Sequence, residues 1–517
     1  MLACALLLGV ASQLFAPLKP AFHAVVASCG GLALFLYCLQ PTVAEAMQRR
    51  AIICAVGLPV VAWLTPHVWL LYALMIAWVP FVAGRFAPVV PVYLFSLLLL
   101  PGLDDVGAIG SIKLFDFGVQ DALALGAAAA VFGNTAKGKS RLAFDAPVLG
   151  AMLLLTGALA RETTLTNFMR FTINVGLDLW LPYYILSRGI RSLDALREAM
   201  LWLGCGAATL SAILLYEAWK AWPIYNILYT QYGLSTLLMV KARGGVLRSG
   251  GPFVEPTSAA MVLAICIVAL WLSRGYFRSG WSYAGITLAT LIGLSAPQSR
   301  GAWIGLLIAL AVTQLFCGRY ARVALGAVSL AIVGPLLLLI AQFSPYVAET
   351  LGLTGGSSAT SEYRRQLLAR GMEEFWHSPI FGFSMPEVTR RLSDLRQGEG
   401  IVDFVNTYIW ILLISGAVGA TIFFGTFVYF LVRLLPLHRP VEGLAGSVSA
   451  AAFVFAGIVM PIEMLFFTSF GGRPAVFVFA MFGFAAAIVS IRDRQRNHAR
   501  RSSDEGIGDR ALAASVR

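Results

Sequence analysis

The chain has 517 residues, of which 59% are hydrophobic and only 12% are charged, where a soluble globular domain carries roughly a quarter charged. Its net charge is +12 and its mean hydropathy is +0.79. A soluble protein of this make-up would leave much apolar surface in water, so a cytosolic enzyme, a nucleic-acid binder and a disordered chain are all excluded. Apolar runs of 15 to 25 residues alternate with short charged loops, which predicts an all-α polytopic membrane protein. A β-barrel would show alternating segments of about ten residues.

In chain order the apolar spans fall at 1–17, 21–39, 51–66, 68–83, 88–102, 117–133, 146–160, 169–187, 197–217, 257–273, 281–296, 301–317, 323–343, 404–433, 446–467 and 472–491. Proline interrupts several, so about 12–16 crossings are expected. The first span has no basic flank and reads as a membrane helix, not a cleaved signal. The seven cysteines all lie in apolar runs, with no CxxC spacing. They read as small packing residues, and neither a disulfide framework nor a metal site is expected.

Lys and Arg in the short loops set the orientation. One class of loops holds Arg49, Arg50, Arg85, Lys137, Lys139, Arg141, Arg188, Arg191, Arg274, Arg278, Arg319, Arg322 and Arg433, and is therefore cytoplasmic. The chain then divides into N-terminal membrane helices 1–217, a far-side arginine/glycine loop 218–256, membrane helices 257–343, a large far-side loop 344–403, C-terminal membrane helices 404–491 and a basic cytoplasmic tail 492–517. The tail reads as a charged, unstructured anchor beyond about 497. In 218–256 the rings Trp219, Trp222, Tyr225, Tyr229 and Tyr232, with Leu237, suit a membrane interface or a groove. In 344–403 a helix is expected from Glu362 to Trp376. Leu367, Leu368, Met372, Phe375 and Trp376 lie on one face, and Arg370 and Glu374 form an i,i+4 pair.

The far side is unexpectedly basic. Arg243, Arg248, Arg364, Arg365 and Arg370 lie there, and Arg300 sits at the mouth of a span in Ser295-Ala296-Pro297-Gln298-Ser299-Arg300-Gly301. A guanidinium there needs an anion or water. The stretch Arg243 to Pro256 carries four glycines and two arginines and runs into a helix that starts at Pro256. Such a backbone comes close to a ligand, and arginine forks match phosphate oxygens. Glu463, in an apolar span, is a further candidate, with Arg473 as a plausible partner.

These stretches resemble the O-antigen ligase and O-antigen/exopolysaccharide polymerase family. Arg248-Ser249-Gly250-Gly251-Pro252-Phe253 resembles its arginine–glycine–phenylalanine stretch, and Ser299-Arg300-Gly301-Ala302 its serine–arginine–glycine motif. Tyr363-Arg364-Arg365, with His377-Ser378-Pro379-Ile380-Phe381-Gly382-Phe383, resembles the arginine helix and following turn of its large loop. Asn406-Thr407-Tyr408 and Gly416-Ala417-Val418-Gly419 resemble the end of that loop and the next helix. The ordered set covers about 248–420.

The resemblance implies a GT-C-like bacterial inner-membrane glycosyltransferase with its active face in the periplasm. Such an enzyme moves a glycan from a polyprenyl-diphosphate carrier to a hydroxyl of an acceptor glycan or glycolipid. No cofactor or metal is implied, and the partners are the bilayer, the lipid-linked glycan, the acceptor and, for a polymerase, a chain-length regulator. Arg248, Arg300, Arg243 and Arg364 or Arg365 are the diphosphate candidates, with Arg300 also catalytic. Where the ligases carry His before the loop-end Asn, this chain has Val405. Asp403 is the nearest substitute base and is expected to share a helix face with Asn406 and Thr407. Glu255 and His377 are the other candidates. The missing His favours a polymerase over a ligase. A flippase of lipid-linked oligosaccharide is the alternative, although its charges belong near the bilayer middle.

Overall fold

The structure is a computed structural model that describes residues 17–84, 89–109, 112–133, 144–234, 241–243, 245–353, 357–397, 400–439 and 446–515. Residues 1–16 of the first expected span, the loop cations Arg85, Lys137, Lys139 and Arg141, and Leu237 lie outside the described residues.

The first half holds α1 (Leu18–Cys38), α2 (Pro41–Leu64), α3 (Val68–Ala83), α4 (Val89–Leu97), α5 (Val119–Gly133), α6 (Asp145–Leu159), α7 (Leu165–Val175), α8 (Leu181–Gly189), α9 (Leu193–Lys220) and α10 (Asn226–Gln231). The second holds α11 (Pro256–Leu272), α12 (Gly280–Ser295), α13 (Arg300–Phe316), α14 (Tyr320–Phe343), α15 (Pro345–Leu351), α16 (Ser357–Phe375), α17 (Met385–Arg391), α18 (Thr407–Leu434), α19 (Ser447–Met464) and α20 (Gly472–Ser515). Seven described helices are long and apolar enough to cross a membrane, and five more apolar helices are shorter. The protein is an all-α, multi-pass membrane protein.

Local chemistry sets the boundaries. Pro41, Pro256 and Pro345 open their helices, where a missing N–H goes unnoticed. Ser192 caps α9 by accepting from Ala195 N at 3.2 Å. The expected span 88–102 forms only the nine-residue α4, because Pro101 and Gly102 end it. An unexpected hairpin follows, β1 (Asp105–Ile109) antiparallel to β2 (Ile112–Phe117), with a bulge between Gly107 and Ala108. The span 169–187 lies within α7 and α8, joined by a π-helical turn Gly176–Trp180. Past 491, α20 continues to Ser515, where an unstructured tail was expected beyond about 497; no proline interrupts it after Pro474.

Of the long helices, α9 and α20 lie deepest, with 83% and 94% of their apolar windows buried, against none of α14, which stands at the edge. Lipid solvates α14 as well as protein would, so helices pack here by shape and not by apolar burial alone. The alanines 450–452 and 456 of α19 and 485–487 of α20 are buried for that reason. Tyr225, Tyr229 and Tyr232 line no open groove. Tyr225 is buried against Trp63, and Tyr232 donates to the carbonyls of the α2 end, so α10 is drawn into the bundle.

The large loop has its own small core, with Leu367, Phe375, Val388, Leu392, Ile409 and Leu413 buried together. Leu368 and Trp376, expected on that face, are exposed, while Glu374 is buried and takes Arg391 at 2.9 Å. Arg370 and Glu374 stand 3.8 Å apart, as their spacing predicts. The loop is locked to α18 at a break. Gly416 has φ +64 inside that helix, and the turn at Pro379–Phe383 enters the gap. Ala417 N donates to Pro379 O (2.8 Å) and Phe383 N donates to Leu413 O (2.7 Å). A Cβ on Gly416 would lie 2.2 Å from Ile380 O, so only glycine fits. Arg161 closes the junction, donating to Phe381 O at 2.7 Å, Ile414 O at 3.3 Å and Gly382 O at 2.9 Å.

Candidate functional site

The starts of α11, α13 and α18, the end of α19 and one side of α16 meet at the same end of the bundle. They surround a cavity of about 850 Å³, within the range of natural ligand sites. Lys241, Arg243, Arg248, Glu255, Arg300, Arg364 and Asp403 line it. The structure thus brings together side chains from Lys241 to Asp403, far apart in the sequence.

Each arginine is steadied by one backbone carbonyl. Arg243 donates to Gln298 O (2.9 Å), Arg248 to Pro297 O (3.1 Å), Arg300 to Leu351 O (3.1 Å) and Arg364 to Phe467 O (3.1 Å). No carboxylate lies within ion-pair distance of any of the four among the described residues; the one ion pair lining the cavity is Lys241–Glu255 at 3.8 Å. Arg364 Nε is buried without a partner among the described residues. Burial, followed by the neighbouring guanidiniums, pushes Arg248 down to about 10. The same causes, burial first and then Arg300, lower Arg243 and Arg364. Packed cations that disfavour one another in this way make a site ready for an anion.

The carboxylates divide by their surroundings. Glu255 caps α11, accepting from Ser258 N at 2.6 Å as well as facing Lys241. Asp403 lies before α18, not on it, because Asn406 is the helix cap and accepts from Tyr408 N and Ile409 N. The shared helix face expected for Asp403, Asn406 and Thr407 is therefore absent. Instead the Tyr363 hydroxyl grips the Asp403 backbone, donating to its O at 2.9 Å and accepting from its N at 3.0 Å. Val405 also lines the cavity.

Three candidates lie outside the lining. Arg365 points away from Arg364 around the helix and pairs with Glu362 at 2.9 Å, with 78% of its side chain exposed. His377 is exposed beside Glu374 at 3.6 Å. Asn406 is buried as the cap. Arg473 does not meet Glu463. It donates to Leu100 O and lies over the Phe253 ring at 4.7 Å, while both Glu463 oxygens are buried without partners among the described residues.

Four features were not singled out from the sequence. Glu217, 1% exposed, accepts from Ser249 Oγ (2.7 Å) and Gly251 N (2.8 Å), and so pins the arginine/glycine loop to α9. A carboxylate at the end of a long apolar helix is the signal that would have found it. Tyr363 holds Asp403. The loop from Phe467 to Gly471 forms one wall of the cavity, and Gln298 lines it beside the arginines.

A multi-pass helical protein with a cationic cavity at one end of its bundle suits an enzyme acting on an anionic lipid-borne substrate. Residues 285–424 match the family model described as O-antigen ligase. That stretch holds Arg300, Arg364, Asp403 and the Gly416 break, and supports membership of the O-antigen ligase family with glycan transfer of the ligase or polymerase type. Arg243, Arg248 and Glu255 precede it and join the site through the fold. No curated protein matches the chain.

Proposed function

We propose that this protein is a periplasm-facing glycosyltransferase of the bacterial inner membrane that extends a polysaccharide from a polyprenyl-diphosphate-linked glycan. The observation that carries the reading is the cluster of four guanidiniums in one cavity, none within ion-pair distance of a carboxylate among the described residues. Arg248, Arg300, Arg243 and Arg364 hold the diphosphate. An acceptor sugar hydroxyl attacks the anomeric carbon, a C–O bond forms there, the bond to the diphosphate breaks, and the electron pair leaves with the diphosphate oxygen. The arginines stabilise that charge, a role worth about 3–4 kcal/mol per well-placed donor. Asp403 takes the hydroxyl proton, since it lines the cavity two positions before Val405, which stands where the ligases carry His. The missing imidazole favours a polymerase joining lipid-linked repeats over a ligase.

The test supplies purified protein with a polyprenyl-diphosphate-linked repeat unit and measures glycan length and free polyprenyl diphosphate. Longer glycan with release of the carrier is expected. Movement of the intact lipid across liposomes without release would favour a flippase.

A further inference from the structure

The cavity holds one side chain that fits neither a structural nor a cation role. Gln298 is 1% exposed, lines the cavity, and has its Oε1 buried without a partner among the described residues. Its backbone is left-handed, with φ +51, a conformation that disfavours residues with a Cβ. A buried amide kept for structure would be hydrogen-bonded, and a strained turn kept for shape alone would be glycine. The position is also fixed from outside: Gln298 N donates to Ser295 O at 3.0 Å, its carbonyl takes Arg243, and the preceding carbonyl of Pro297 takes Arg248. The amide therefore sits within a residue of two of the diphosphate candidates without carrying charge.

The wall beside it has the same uncharged chemistry. The first turn of α13 packs on the 465–471 loop, since a Cβ on Gly301 would lie 3.6 Å from Phe467 Cβ. The carbonyls of Phe467 and Thr468 are taken by Arg364 and by Thr407 Oγ1 (2.7 Å), which fixes the loop and leaves the Phe467, Thr468 and Ser469 side chains on the cavity lining. An amide both donates and accepts, as do hydroxyls. That suits a sugar hydroxyl or acetamido group and does not suit a second phosphate.

Resting on the reading of the cavity as a diphosphate-sugar site, we propose that Gln298 contacts the sugar joined directly to the diphosphate and sets the specificity for it, with Phe467, Thr468 and Ser469 as the adjoining wall. The bound sugar supplies the partner that the buried amide lacks.

The experiment compares binding of two probes to the full protein in detergent: bare polyprenyl diphosphate, and the lipid-linked repeat unit purified from the source cells. The wild type should bind the glycosylated probe about ten-fold more tightly. Gln298→Ala and Gln298→Gly should erase that preference and leave affinity for the bare lipid within about two-fold. Gln298→Gly should melt no lower than the wild type, because glycine suits the left-handed backbone. A preference that survives in both variants overturns the proposal, as does an equal loss for both probes, which would make Gln298 a loop support. A wild type that binds both probes equally defeats this inference alone. A wild type that ignores the bare lipid defeats the diphosphate reading beneath it.

Discussion

Arginines serve two opposite ends in this molecule. At the α18 break, Arg161 directs its donors to three carbonyls that the interrupted helix and the 379–383 turn leave open. It completes a structure. In the cavity, Arg243, Arg248, Arg300 and Arg364 are each held by one carbonyl while crowding one another. None of the four is paired with a carboxylate among the described residues. The 379–383 turn and Gly416 lie in family-like motifs as Arg248, Arg300 and Arg364 do, so a motif can serve the fold as well as the site. What separates them is whether the chain itself uses up the donors.

The largest expected effects set the two regions against each other. Arg248→Ala and Arg300→Ala should each lower turnover about a thousand-fold, roughly 4 kcal/mol of transition-state stabilisation, with little change in melting temperature. Arg161→Ala should do the reverse. Phe381 O and Ile414 O lose this donor and Gly382 O keeps only Ser378 Oγ, so the fold should weaken by about 2–4 kcal/mol in thermal unfolding while the folded fraction keeps its rate. If Arg161→Ala instead lost turnover without losing stability, the division between the two regions would fail.

Asp403→Asn comes next. It should lower turnover about a hundred-fold, and more than Glu255→Gln, whose amide can still cap α11. Binding of the lipid diphosphate should survive in both. A reversed ranking in steady-state assays would move the proton acceptor to Glu255. Glu217→Gln tests the support beneath the arginines. It keeps the shape but weakens two charge-assisted bonds to Ser249 and Gly251. Amide exchange in 245–253 should speed up, and the apparent affinity for lipid diphosphate should fall about three- to ten-fold.

Much of this was legible in the sequence. The apolar spans predicted most helices to within a few residues, because a bilayer demands length and hydropathy locally. The cavity arginines were found because each sits in a short recognisable stretch. The rest depends on contacts across the fold. Gln298 looks like any polar turn residue until its backbone is seen to be left-handed. Glu217 and Tyr363 act on residues 32 and 40 positions away. Arg161 meets partners more than 200 positions on. Arg364 and Arg365 were equivalent by spacing, and only the packing of α16 on the cavity chose between them. The expected span 88–102 ran through Pro101 and Gly102 and gave no sign of the hairpin that follows.

The smallest effect is the sharpest for the comparison. Burial and the Arg300 charge lower Arg243's proton affinity below its ordinary value, so the folded state holds that proton less well than the unfolded chain does. The sign follows from linkage: the cost is fully present at every pH below the lowered pKa and is relieved only as pH rises from there toward the ordinary arginine range. At neutral pH, Arg243→Gln should therefore raise the stability of the ligand-free protein slightly, since solvent screens most of the repulsion. Added salt should shrink that gain, because it screens the same repulsion. Pyrophosphate should reverse the ranking, stabilising the wild type by mass action more than the variant. Melting curves across salt and pyrophosphate concentration measure all three. A variant less stable than the wild type in every condition would place Arg243 with Arg161, among the arginines whose partners the chain already supplies.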